Sequence, residues 1–278
     1  MSANSGREMI HSHPCLHKSA ARWFGRIHLP VAPECNIKCR YCTRSYDCAN
    51  ENRPGVASRV ISPGEALQIV AESVERDARL RVVGIAGPGD PLANPATLET
   101  LELVHNRYPY LIKCVSTNGL LLAESLPALY ARGVRTVTVT VNTVSPQIGS
   151  LIYEYVHYQG RIYRGAAGSD LLLQAQLAGI EQAVSMGLVV KVNTVYIPMV
   201  NDNHLIEVAL KVKHAGAQVM NLMPLIPIAQ FAGLQAPGRE QILLARRSLA
   251  GVIRQIEHCR QCRADAVGML CRSGGDQG

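Results

Sequence analysis

Short runs rich in Val and Ile alternate along this chain with longer segments whose apolar residues recur at helical spacing. The runs at residues 26–31, 81–86, 112–116, 136–141, 189–195 and 219–222 predict strands. The helical period covers residues 63–76, 95–106, 124–131, 170–185 and 203–215, with a last helix expected over 240–257. Strands buried on both faces and separated by helices join through right-handed crossovers into a parallel sheet. The expected fold class is therefore α/β, an open partial (β/α)6 barrel of TIM type. No repeat, low-complexity block or linker divides the chain, so one barrel over residues 23–257 is expected. It carries an N-terminal extension at residues 1–22 and a tail at residues 258–278. The stretch 143–169, rich in Tyr and Arg, interrupts the fourth strand–helix unit; so long a loop reads either as a lid over a site or as an amphipathic surface segment.

Composition narrows the partners. With 47% hydrophobic and 18% charged residues, there is ample apolar material for a buried core and no case for global disorder. No run reaches the roughly 18 apolar residues a membrane span needs, and residues 1–21 hold no signal-peptide core. A cytoplasmic protein with no membrane partner is expected. The net charge is +7, but the 28 Lys and Arg are scattered with no basic run of five, which argues against nucleic acid. An anionic small substrate or an anionic cluster accounts for the sign equally well. Nine cysteines in a cytoplasmic chain point to metal or redox chemistry, because thiols there are kept reduced.

Cys35-Asn36-Ile37-Lys38-Cys39-Arg40-Tyr41-Cys42 directly follows the first strand, where a parallel barrel presents its active-site loops. Three thiolates from one loop hold three irons of a cubane and leave the fourth open. Structural zinc, the competing reading, usually takes four protein ligands in two paired groups. Cys-x3-Cys-x-Tyr-Cys at this position resembles the signature of the radical S-adenosylmethionine (SAM) superfamily. That resemblance implies a [4Fe-4S] cluster on Cys35, Cys39 and Cys42 whose open iron binds SAM and whose electron cleaves it to a 5′-deoxyadenosyl radical.

The second strand ends in Gly84-Ile85-Ala86-Gly87-Pro88-Gly89-Asp90-Pro91, and glycines there let backbone approach a ligand. Alone, such a stretch reads as a turn. By resemblance it stands where the superfamily's Gly-Gly-Glu-like stretch contacts the SAM amino group, with Gly89 as the backbone contact. The same positional resemblance puts Thr140 and Ile197 in the SAM site. Asn118 and Asn142 end strands at the expected mouth, or else serve as turn or cap residues.

Six cysteines remain, and Cys259-Arg260-Gln261-Cys262 is the most specific pattern among them, because two thiolates so spaced reach one metal or cluster. A thioredoxin-like pair competes, without its usual strand context. Resemblance to one family extends over nearly the whole chain. His13-Pro14-Cys15, Ala32-Pro33-Glu34-Cys35, residues 46–55, 84–94 and 116–120, Tyr163-Arg164-Gly165 and residues 258–268 resemble the NifB family of nitrogenase-cofactor maturases.

The resemblance implies three [4Fe-4S] clusters, one SAM-binding and two that are substrates, K1 and K2. It assigns Cys15, His28 and Cys48 to K1 and Cys114, Cys259 and Cys262 to K2. His28 read alone is more often a packed histidine, and Cys271 receives no role. His13 is either a hydrogen-bonding neighbour of a ligand or an alternative ligand. The implied reaction fuses K1 and K2 around a SAM-derived carbide into the eight-iron precursor of the FeMo-cofactor, NifB-co. Glu51 is the candidate proton acceptor, with Arg53 neutralising cluster charge or holding Glu51; a surface ion pair is the plainer reading. Expected partners are cluster-donor, carrier and scaffold proteins of nitrogenase assembly and a reductant protein. A stand-alone form without a NifX-like domain is expected. Competing functions are another multi-cluster radical SAM enzyme, a methyltransferase or cyclase, and a zinc-bearing interaction module.

Overall fold

The computed structural model describes residues 3–50, 52, 55–259 and 261–270. In chain order its elements begin with α1 (Ala3–Ser12), α2 (Ala20–Trp23), β1 (Gly25–His28), β2 (Ile37–Cys39), α3 (Pro63–Arg76), β3 (Leu80–Ile85), α4 (Pro95–Arg107) and β4 (Ile112–Thr117). They continue with α5 (Leu122–Ala131), β5 (Val134–Thr140), α6 (Pro146–Ile152), β6 (Tyr153–Tyr158), β7 (Arg161–Tyr163) and α7 (Gly165–Ser185). The last are β8 (Val189–Tyr196), α8 (Leu205–His214), β9 (Val219–Pro224), α9 (Arg239–Ala250), β10 (Arg254–Gln255) and β11 (Val267–Met269).

Strands β1, β3, β4, β5, β8 and β9 lie side by side in sequence order, all parallel. That order lacks the reversal of a doubly wound sheet, and the strand–helix units form a partial (β/α)6 barrel. Two short strands close its edges: β10 runs parallel to β9, and β11 runs antiparallel to β1. Among the described residues no helix is long and apolar enough to cross a membrane.

Side-chain alternation shapes the lumen. In β5, Val137 and Val139 face the helices and join the main apolar core, while the buried Thr136, Thr138 and Thr140 occupy the other face. The same alternation puts Val83 and Ile85 of β3, Val115 of β4, and Val190 and Val192 of β8 in that core, against Val70, Leu101, Leu126, Ile180 and Val208 of the helices. Each such buried side chain contributes roughly 1.5–3 kcal/mol. The small and polar residues opposite leave the lumen open. At its far end Leu16 packs with Val189, Val219 and Ile256, a plug contributed by the N-terminal segment.

The cysteine loop has its own small sheet. β2 pairs antiparallel with β6, Ile37 opposite Val156 and Lys38 opposite Tyr155, and β6 turns into β7 through Gln159 and Gly160. Both turn residues have positive φ, 49° and 73°, as a two-residue hairpin of primed type requires. The stretch expected as lid or surface segment is thus α6 and a hairpin that clasps the cysteine loop. The last helix ends at Ala250 rather than 257, because the chain turns at Gly251 to supply β10. Helix α3 follows the site on a reciprocal Ser62–Glu65 cap with Pro63 in its first turn.

Candidate functional site

At the C-terminal mouth of the barrel, a cavity of about 460 Å³ is lined by Cys35, Cys39, Cys42, Gly89, Asn118 and Thr140. The loop carrying the thiols is fixed at many points. Arg40 N donates to Ile152 O (2.8 Å), His157 N to Asn36 O (2.8 Å), Arg44 Nη2 to Ile37 O (2.5 Å) and Lys38 Nζ to Cys42 O (2.6 Å). Tyr41, buried between the second and third thiols, donates its hydroxyl to Asn50 Oδ1 and accepts from Asn142 Nδ2, both at 2.6 Å.

The Gly-Pro-Gly-Asp turn grips the chain just before Cys35. A Cβ on Gly89 would overlap the carbonyl oxygens of Pro33 and Glu34, so only glycine fits this close approach. Asp90 N donates to Glu34 O (2.7 Å). The Asp90 carboxylate accepts from Asn118 N (2.6 Å), Leu92 N (2.9 Å) and Thr117 Oγ1 (3.0 Å). Burial raises its pKa against those donors. The acidic side chain therefore anchors the end of β4. Asn118 reaches across to the loop, donating from Nδ2 to Asn36 Oδ1 (2.6 Å), with Cys35 Sγ at 3.8 Å. Gln176 of α7 ties both strand ends, donating to Asn118 O and Thr140 O at 2.8 Å each.

Two sequence candidates stand behind the cavity wall. Ile197 is buried in the apolar cluster with Cys39, Tyr41 and Cys42, and Asn142 holds Tyr41 while accepting from Val195 N (2.9 Å). Glu51, Arg53 and Cys271 lie outside the described residues.

Deeper in the lumen lies a second cavity, about 660 Å³, lined by Cys15, His28, Cys114, Cys259, Cys262 and Lys191 among others. The two cavities share Ala86 and Ser116. Cys48 stands on the mouth side, with the triad. The expected division into Cys15–His28–Cys48 and Cys114–Cys259–Cys262 therefore cuts across the cavities. The inner lining includes no Asp or Glu among the described residues, and Arg26 Nη2 points at Cys262 Sγ (3.0 Å), so the chamber favours an anion.

Histidine chemistry differs between two neighbours here. His28 Nδ1 donates to Arg263 O (3.2 Å), since a carbonyl only accepts, which leaves the Nε2 lone pair available as a ligand. Burial lowers its pKa to about 4, keeping the ring neutral. Gly84 makes room for it: a Cβ there would stand 3.1 Å from His28 Cδ2. His13 has the opposite tautomer. Its Nδ1 accepts from Cys15 N (3.1 Å), so Nε2 carries the proton, buried and without a partner. In this tautomer His13 faces the chamber as a hydrogen-bond donor.

The far segments that complete the chamber are tied to each other. His258 Nε2 donates to Pro14 O (2.8 Å), Arg254 Nη2 to Leu16 O (2.9 Å) and His28 N to Ala266 O (2.8 Å).

The donor set fits iron–sulfur chemistry. Burial pushes the Cys35, Cys39 and Cys48 thiols up, and the Cys15 thiol up to about 12, so thiolates here need a cationic core beside them. Among the described residues, no three His, Cys, Asp or Glu converge on a point suited to one ion. Asp90, Tyr41, Gln176 and Lys191 were not picked out as site residues from the sequence. Tyr41 and Asp90 stand within the cysteine-loop and Gly-Pro-Gly-Asp motifs, and Lys191 is a lone charge in the apolar run Val189-Val190-Lys191-Val192.

A family description headed Radical SAM superfamily matches residues 29–212. The chain is 43% identical to the FeMo cofactor biosynthesis protein NifB of Chlorobaculum tepidum, over 96% of this chain and 64% of that protein. It is 44% identical to NifB of Azotobacter vinelandii over 98% of this chain and 55% of that protein. With NifB of Methanocaldococcus infernus the identity is 42%, over 94% of this chain and 87% of that protein. The chain thus spans less than two thirds of the first two proteins. Among solved structures, methylornithine synthase matches with a TM-score of 0.57 at 16% identity, over 91% of this chain and 71% of that one. Streptococcus suis SuiB matches at 0.56 and 13% identity, over 94% and 56%. Both likenesses are of fold.

Proposed function

Because the chain belongs to the radical SAM superfamily and, within it, to the NifB family, we propose that it builds the eight-iron precursor of the nitrogenase cofactor, joining two [4Fe-4S] substrate clusters around a carbon drawn from SAM. The observation that carries the reading is the inner chamber: thiols and a ligand-ready imidazole line a cavity that holds no acid among the described residues and adjoins the triad's cavity at Ala86 and Ser116.

Cys35, Cys39 and Cys42 would hold the resident cluster, which with SAM supplies methyl transfer and a 5′-deoxyadenosyl radical. Gly89, Asn118 and Thr140 orient SAM from the cavity wall, while Ile197 and Asn142 support that wall from behind. Cys15, His28, Cys48, Cys114, Cys259 and Cys262 hold the two substrate clusters. His13 Nε2–H donates toward bound sulfide or thiolate, and Lys191 and Arg26 offset the negative charge of the cargo. Glu51 accepts protons from the transferred carbon, and Arg53 neutralises cluster charge or holds Glu51. Cytoplasmic cluster donors, a carrier or scaffold protein that receives the product, and a reductant protein complete the reaction.

Anaerobic reconstitution followed by iron, sulfide and zinc analysis tests the reading. Three cubanes give about twelve irons per chain, and SAM perturbs the EPR signal of one cluster only. Zinc without sulfide would overturn it in favour of an interaction module.

A further inference from the structure

A third cavity, about 1130 Å³, lies along β9, α9 and the chain after β10. Among the described residues only Cys259 lines both this groove and the inner chamber. The groove presents two arginines, Arg239 and Arg246, against one carboxylate, Glu257. Arg246 is half-buried, its Nη2 donating to Leu222 O (2.8 Å) and its Nε without a partner. Gln261 Nε2, also on the groove lining, is a second buried donor without a partner. Orphaned donors beside a thiol suit an anionic ligand.

We infer that this groove is the port through which an anionic, thiolate-ligated [4Fe-4S] cluster enters the inner chamber, with Cys259 as the first thiol to take it and Arg246 as the cation that draws it in. The inference rests on the reading of the inner chamber as a substrate-cluster site. Entry is ligand exchange without redox change: an iron–sulfur bond to Cys259 forms as one to the incoming thiolate breaks, and the cysteine proton leaves with the displaced thiolate. Cys262 and Cys114 can then take further irons from the same cluster, displacing its remaining thiolates in the same way.

The probe is a synthetic dianionic [4Fe-4S] cubane carrying mercaptoethanol thiolates, offered anaerobically to the full chain. The readout, on aliquots freed of unbound cubane and reduced with dithionite just before freezing, is the growth rate of the EPR signal that SAM does not perturb. Arg246→Gln is expected to slow loading about tenfold at low salt and Glu257→Gln to accelerate it, as charge steering predicts. Both differences should collapse at high salt. Arg246→Lys should load near the wild-type rate, and every variant should reach the same final iron content. Acceleration by Glu257→Gln is informative even if Arg246→Gln folds poorly, since damage does not speed loading. Equal rates in all variants, or shifts of the same sign from both charge removals, would overturn the port. If Cys114→Ala and Cys262→Ala leave iron content unchanged, the chamber reading itself has failed; if they lower it while rates ignore charge, the port alone has failed.

Discussion

The mouth cavity takes its triad from eight consecutive residues of one loop and its fourth thiol, Cys48, from just beyond them, whereas the inner chamber draws Cys15 from before β1, His28 from β1, Cys114 from β4, and Cys259 and Cys262 from beyond β10. Closing a short loop costs little chain entropy, so the triad needs chiefly the β2–β6 clasp and the Gly89 contact. The inner chamber needs the whole barrel plus the two end segments tied at His258 and Arg254. One site is locally encoded, the other globally, and the two should fail separately.

The largest expected effect tests that separation. Cys39→Ala should abolish SAM cleavage and remove about four irons per chain, leaving the inner clusters in place. Cys114→Ala should keep 5′-deoxyadenosine formation, measured by chromatography, while losing inner iron and all product. If each variant lost both activities, the two sites would not be independent.

Glycines sharpen the contrast one step down. Gly89→Ala should destabilise the chain by about 3 kcal/mol or more in urea melts and prevent assembly of the mouth cluster, because the overlap is with backbone. Gly84→Ala crowds the His28 ring and meets Cys114 O at ordinary van der Waals distance, so about 1 kcal/mol or less is expected, with an altered inner-cluster EPR signal and normal SAM cleavage.

In the cluster-free chain, His28 is neutral down to about pH 4, whereas the unfolded ring protonates near 6.5. The unfolded state therefore binds more protons between those values, and stability should fall as pH drops through that window, by about 3 kcal/mol for this group. Urea melts across pH 7 to 4 check this, and His28→Gln should make the profile shallower, the buried His13 ring, its pKa lowered to about 3, supplying a fall of the same sign. Asn142→Ala should cost about 1–2 kcal/mol from the lost Tyr41 hydrogen bond, with weaker SAM affinity and unchanged inner-chamber iron.

The same contrast explains what was legible in the sequence. The triad and the six parallel strands could be read from spacing and from Val-rich runs, since both are local patterns. Of the proposed inner ligands only the Cys259–Cys262 pair shows a local pattern; the others come through family resemblance, because nothing local relates Cys15 to Cys114 or Cys262. The lumen was in principle readable: Thr136-Val137-Thr138-Val139-Thr140 alternates strictly, yet its valines alone suggest a strand buried evenly on both faces. The β6–β7 hairpin carried its Gln159-Gly160 turn in sequence, but its partner β2 lies more than a hundred residues away. Strands of two or three residues such as β10 and β11 have almost no propensity of their own and exist through β9 and β1.

The most direct test of the central claim follows the methyl carbon of labelled SAM in the reconstituted chain. Cluster fusion predicts the label inside the metal product, coupled to its iron spins in electron–nuclear double resonance and absent when Cys114 is replaced by Ala. Label recovered in a small organic product, with an unlabelled cluster, would contradict it.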